Sequence, residues 1–219
     1  FATVEPVAPQ QGKPATTAKE LQQAKTYTVS SAPTEALNLA APKLPDISGY
    51  TAEAAAAKIV RSKAGKVSVR RMMQEDALKD FIGGDNKMAE WVVRQHGIPQ
   101  AIFVDDGYMN LKDLAKKLPK QYFSETSPGV FLAKLPIVVG RHGILEIDKQ
   151  TQELRLSQEA GSFLVNDGQL FVRDTRITGW SEKANGPAVF KSPKEFRPFM
   201  LSWGGTQTYI ANSKIASFG

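Results

Sequence analysis

At 219 residues, with 42% hydrophobic and 23% charged, the chain has ordinary globular composition and room for one or two domains. It has no cysteine, which excludes disulfides, thiolate catalysis and sulfur-built zinc sites, and no run approaches the roughly eighteen apolar residues of a membrane helix. The formal charge of +6 suits an acidic partner such as nucleic acid, an anionic polysaccharide or a membrane surface, and is equally that of a plain basic protein.

Residues 1–46 read as a flexible, Pro-rich N-terminal segment. They hold six of the 13 prolines and have no sustained apolar period. A short helix over 17–25, boxed by Thr17 and Glu20, is the regular element expected there. Phe1 opens without a secretory signal, so such a signal either never existed or has been removed. From residue 47 the texture changes. Thr51 stands where it would cap a helix beginning AEAAAAKIV, and residues 67–73 alternate as a strand. Helices follow over 75–82 and 87–96, separated by Gly83-Gly84 and stopped at Gly97. AIFVD at 101–105 reads as a strand turned by Asp106-Gly107, and Asn110 starts a helix that Pro119 ends. Helices alternating with strands predict a small α/β cap domain over 47–127.

After Pro128 no helix is expected. GVFLAKLPIVV, GILEI, ELRLS, SFLVN, GQLFVRDT and RPFMLSW form short strands between turn residues. Two of these stretches repeat. FVRDTRITGW at 171–180 matches YIANSKIASF at 209–218, with Val172 on Ile210, Asp174 on Asn212, Arg176 on Lys214 and Ile177 on Ile215. GILEI at 143–147 likewise matches GQLFV at 168–172. Repeats of this size carrying several strands each predict the coils of a parallel β-helix over 128–219. Its apolar residues would stack inward, Asp174 and Asn212 would share a turn, and the polar stretch 181–196 would bulge outward as a loop. An antiparallel sandwich with a chance likeness between strands is the alternative. A solenoid ends in a polar cap, and none is visible near Gly219, so the chain reads as the opening portion of a longer array.

The long strings VRRMMQEDALKDFIGGDNKMAEWVVRQHG (69–97), AIFVDDGY (101–108), LEID (145–148), FLVNDGQLFVRDT (163–175), EFRPFMLSWGG (195–205) and TYIANSKIASFG (208–219) resemble the periplasmic mannuronan C5-epimerases of bacterial alginate synthesis. The resemblance covers about 50–219. It implies a mainly β architecture, a right-handed parallel β-helix of which only the first coils are present, behind a small α/β cap. It also implies a periplasmic location with the signal peptide removed, and conversion of D-mannuronate to L-guluronate within the polymer. Association with other periplasmic proteins of alginate export follows from it too. Neither a cofactor nor a metal is called for, nor nucleic acid or membrane insertion. The family's base is a histidine in an Asp-Pro-His-Asp string on a later coil. That string is absent here, and neither His96 nor His142 maps onto it, so no catalytic residue is assigned.

His96, at a predicted helix end, suits a capping role, and His142 a solvated turn. Asp105-Asp106 before Gly107 is first a turn signal, and Gly83-Gly84 lacks the frame of a phosphate loop. Between 134 and 219, eleven Lys and Arg face eight Asp and Glu. Arg173, Arg176 and Lys214 fall on repeated positions, where a row of cations would suit a polymer with a carboxylate on every sugar. For any one of them a solvated outer face is the plainer reading. Trp203 is a candidate sugar-stacking platform, with internal packing as its plainer reading. Two rivals to the epimerase stand open: a β-helix polysaccharide lyase and a non-catalytic binding or scaffold module.

Overall fold

Alternating apolar residues on short strands must bury one face, and here they do so against one another from three sides. The structure is a computed structural model that describes residues 28, 31, 40–72 and 98–219. The first sheet runs β1 (Lys66–Arg71), β2 (Gln100–Asp105), β6 (Ile137–Val139), β9 (Leu164–Asn166) and β13 (Met200–Ser202). The second runs β3 (Gly107–Asn110), β7 (Gly143–Ile147), β10 (Gln169–Arg173) and β14 (Gln207–Ala211). The third is built from β4 (Phe123–Ser127), β5 (Val130–Ala133), β8 (Glu153–Ser157), β11 (Arg176–Ser181) and β15 (Lys214–Ala216), with β12 (Gly186–Pro187) folded back antiparallel on β11. Successive turns of the chain place one strand in each sheet, and the pairing between turns is parallel. That is a parallel β-helix, and it excludes the sandwich.

The expected registers hold residue for residue. Val172 pairs with Ile210, Arg176 with Lys214 and Ile177 with Ile215, while Leu145 pairs with Leu170 and Ile147 with Val172. Inside, Ile102, Ile137, Leu164 and Met200 stack from the first sheet, Met109, Leu145 and Leu170 from the second, and Phe131, Leu154 and Ile177 from the third, with Ile215, still exposed, in register at the end of that last column. Asp174 and Asn212 share the turn as expected. Both take left-handed backbone angles, φ 53° and 46°, which short polar side chains tolerate best after glycine. Their side chains join directly, Asn212 Nδ2 donating to Asp174 Oδ1 at 2.6 Å.

Two helices flank this body among the described residues. α1 (Ala52–Ala57) is capped by Thr51, whose Oγ1 accepts from Ala54 N, and α2 (Leu111–Lys117) by Asn110, which accepts from Asp113 N. Leu111, Leu114 and Leu118 of the α2 segment join the core of the first coil. The helices expected at 17–25, 75–82 and 87–96, with His96, lie outside the described residues, as does most of 1–46.

Two expectations differ. Sheet pairing does not begin at residue 128: β2 and β3 already pair in parallel with β6 and β7, because AIFVD and GYMN have the inward alternation of the later coils. By contact, the chain divides into units Phe1–Pro45 and Asp46–Gly219, so cap and coils are one body. The stretch 181–196 is also not a loop that simply leaves the surface. Ala188 and Phe196 are buried, Phe196 beside Phe163 and Phe199 on the outer face of the first sheet.

Ile177 is fully buried between Leu154 and Ile215. Ile177→Ala should therefore cost about 3 kcal/mol, read as a lower urea midpoint with an unchanged slope.

Candidate functional site

Residues that alternate with the core face outward, and on the second sheet one outward charge organises its surroundings. Glu146 follows Leu145 and precedes Ile147, yet it is only 3% exposed. Arg61 meets it with a forked guanidinium, Nη2 to Oε2 at 2.8 Å and Nε to Oε1 at 3.1 Å. Tyr108 donates its hydroxyl to Oε1 at 2.6 Å, and Arg173 Nη2 to Oε2 at 2.5 Å. Burial pushes the Glu146 carboxyl up, but these three donors outweigh it and hold it below its ordinary value. Burial, together with Glu146, raises the Tyr108 hydroxyl. The pairing straps the segment after α1 to the sheet, and α1 itself packs against β10 and β14. Lys58 lies over the Tyr209 ring, which stacks on Phe171 at 5.0 Å.

Arg173 is thus a strap, not a free cation. Its side chain is 15% exposed and its Nε is buried without a hydrogen-bond partner. Arg176 and Lys214 behave differently. They sit side by side on neighbouring coils, both exposed, at the corner between the second and third sheets. Arg176 has Glu153 at 3.7 Å, and Lys214 has no acidic partner among the described residues. With Gln152, Asp174, Thr175, Asn212 and Ser213 they line an open depression of about 630 Å³. Of the three expected cations the fold brings two together and takes the third away.

Trp203 is 54% exposed, which overturns the expectation of internal packing. It stands at the other corner, between the first and second sheets, beside a polar depression of about 310 Å³. His142 is an exposed turn residue, as expected. Sequence reasoning missed Arg61, Tyr108 and Glu146. The one available signal was an acid inside the otherwise apolar GILEI.

The comparisons bear on this arrangement directly. No family model matches the chain. A mannuronan C5-epimerase of Pseudomonas fluorescens is 79% identical over 218 residues, which is 100% of this chain and 41% of that protein. The corresponding protein of Pseudomonas aeruginosa is 56% identical over 98% of the chain. The chain is similar to mannuronan C5-epimerases along its whole length. It spans about two-fifths of the length of these curated relatives. The crystal structure of the periplasmic alginate epimerase AlgG superposes with a TM-score of 0.75 at 62% identity, covering 83% of this chain and 43% of that one. This likeness and the parallel coils therefore agree, and the string carrying the base that the resemblance implies is absent from these 219 residues.

The Glu146 cluster makes a prediction of its own. Because the folded carboxyl titrates below the unfolded one, its stabilisation is complete above the ordinary carboxylate range and is lost as pH falls through the folded value. Glu146→Gln leaves the 15%-exposed Arg173 without its counter-charge and should cost about 3 kcal/mol at neutral pH. The same variant should show a shallower loss of stability below about pH 4, measured by denaturant melts across pH.

Proposed function

We propose that this chain forms the opening coils of a periplasmic mannuronan C5-epimerase and helps hold its polymeric substrate. One observation carries the reading: high identity to enzymes of that name runs along the entire chain. Epimerisation at C5 of a uronate needs a base to take the proton and a cation to neutralise the carboxylate. It also needs a donor that returns a proton to the opposite face. The base is assigned outside these 219 residues. What this chain offers is the cation row. Arg176 and Lys214 sit on adjacent coils, so they are about 4.8 Å apart along the solenoid axis. A polyuronate lying along that axis would present carboxylates to both. Asp174 and Asn212 beside them supply an acceptor and an amide for sugar hydroxyls.

The test uses the complete protein and polymannuronate, with guluronate followed by proton NMR. Guluronate should form with the complete protein and not with this chain alone. Unsaturated ends absorbing in the ultraviolet would instead make the protein a lyase, and affinity without either product a binding module. Arg176→Ala with Lys214→Ala should weaken polymannuronate binding about tenfold and flatten its dependence on salt.

A further inference from the structure

The corner between the first and second sheets carries a second constellation. Its depression is lined by Arg141 from one coil, Asp167, Gly168 and Gln169 from the next, and Gly204 to Gln207 from the one after. Trp203, 54% exposed, immediately precedes that last stretch. We propose that this corner is a distinct uronate-binding subsite, with Trp203 as its stacking platform and Arg141 as its carboxylate partner. The proposal rests on the polymer reading above but uses a different face of the solenoid.

Several observations point the same way. Trp203 is exposed but not loose. Its backbone N–H donates to Asn166 O at 3.0 Å, and its backbone carbonyl accepts from Thr206 N and from Thr206 Oγ1 at 2.7 Å. Asn166, fully buried, fixes the same corner from inside, donating to Gln207 O and Thr208 Oγ1. These bonds fix the backbone that carries the ring, and an exposed indole offers an apolar face to the axial C–H groups of a sugar. Arg141 is exposed and makes no ion pair among the described residues, so its guanidinium is available to a carboxylate. Asp167 and the in-register Gln169 and Gln207 supply acceptors and donors for hydroxyls.

The floor is left bare as well. Gly205 adopts φ +83°, which a side chain would strain, and a Cβ at Gly204 or Gly205 would meet nothing within 4 Å. From Arg141 to Gln207 the corner spans two coil spacings, about 10 Å along the axis. That is room for a short oligosaccharide segment.

The deciding experiment is calorimetric titration of the purified chain with short oligomannuronates of defined length, with neutral oligomannose as control. Trp203→Ala and Arg141→Gln should each weaken binding about tenfold, with Trp203→Phe close to the parent and circular dichroism unchanged. Arg141→Gln should also reduce the salt dependence. Full affinity in both variants, with loss only on changing Arg176 and Lys214, would overturn this subsite and leave the first reading standing. No binding by the unsubstituted chain would overturn this subsite, whereas absence of guluronate with the complete protein would overturn the first reading. Equal binding of neutral oligomannose would overturn the uronate assignment.

Discussion

Everything in this molecule depends on the stacking of one coil on the next at the spacing of a hydrogen-bonded strand pair, about 4.8 Å. At that distance each inward side chain rests on its counterpart, so Leu154, Ile177 and Ile215 form one column and Leu145 and Leu170 another. The corners must obey the same spacing. A Cβ on Gly168 would lie 2.2 Å from Gly140 O, so that position has no room for any side chain. At the corner between the second and third sheets, left-handed Asp174 and Asn212 superpose and bond to each other. The first coil meets the remaining difficulty, an open end, with β1 laid antiparallel on β2 and with the leucines of α2 turned into the core.

The same constraint leaves the outer faces free to differ. On the second sheet the outward column holds Glu146, then Phe171, then Tyr209; Glu146 meets Arg61 and Tyr209 meets Lys58 from the segment around α1, and Phe171 stacks on Tyr209. The outer face of the first sheet is apolar, with Val138, Val165 and Phe163 buried and Phe196 and Phe199 packed against them. Faces that are covered cannot meet a polymer. The exposed polar ground is therefore at the corners, where Arg176 and Lys214 stand on one side and Arg141 and Trp203 on the other.

Legibility in the sequence follows from the range of each interaction. Registers such as Val172 on Ile210 were readable, because stacking makes the same pattern recur along the chain. Caps such as Thr51 and Asn110 were readable because they act within one helical turn. The bond from Arg61 to Glu146 spans 85 positions and repeats nowhere, so no local pattern announces it. For the same reason Arg173 looked like a member of a cation row: its repeat position was visible, and the acid that neutralises it was not. For Trp203 the sequence left stacking platform and internal packing both open, since its surroundings become visible only when three coils meet at one corner.

The location of the free cations has a physical cause. An arginine in mid-strand has neighbours two residues away and on the coils above and below, all on its own face. Arg155 accordingly pairs with Glu153 and lies 3.5 Å over the Trp180 ring, and Arg173, at the end of β10 but reaching back to the face of the second sheet, is consumed by Glu146. A residue at a corner points away from both sheets and has fewer such neighbours. Among the described residues Lys214 and Arg141 escape neutralisation for that reason. A charge at a corner also recurs at the coil spacing whenever the next coil keeps it, as Lys214 does for Arg176. A solenoid can therefore read a charged polymer from its corners while its faces are occupied in holding the coils together.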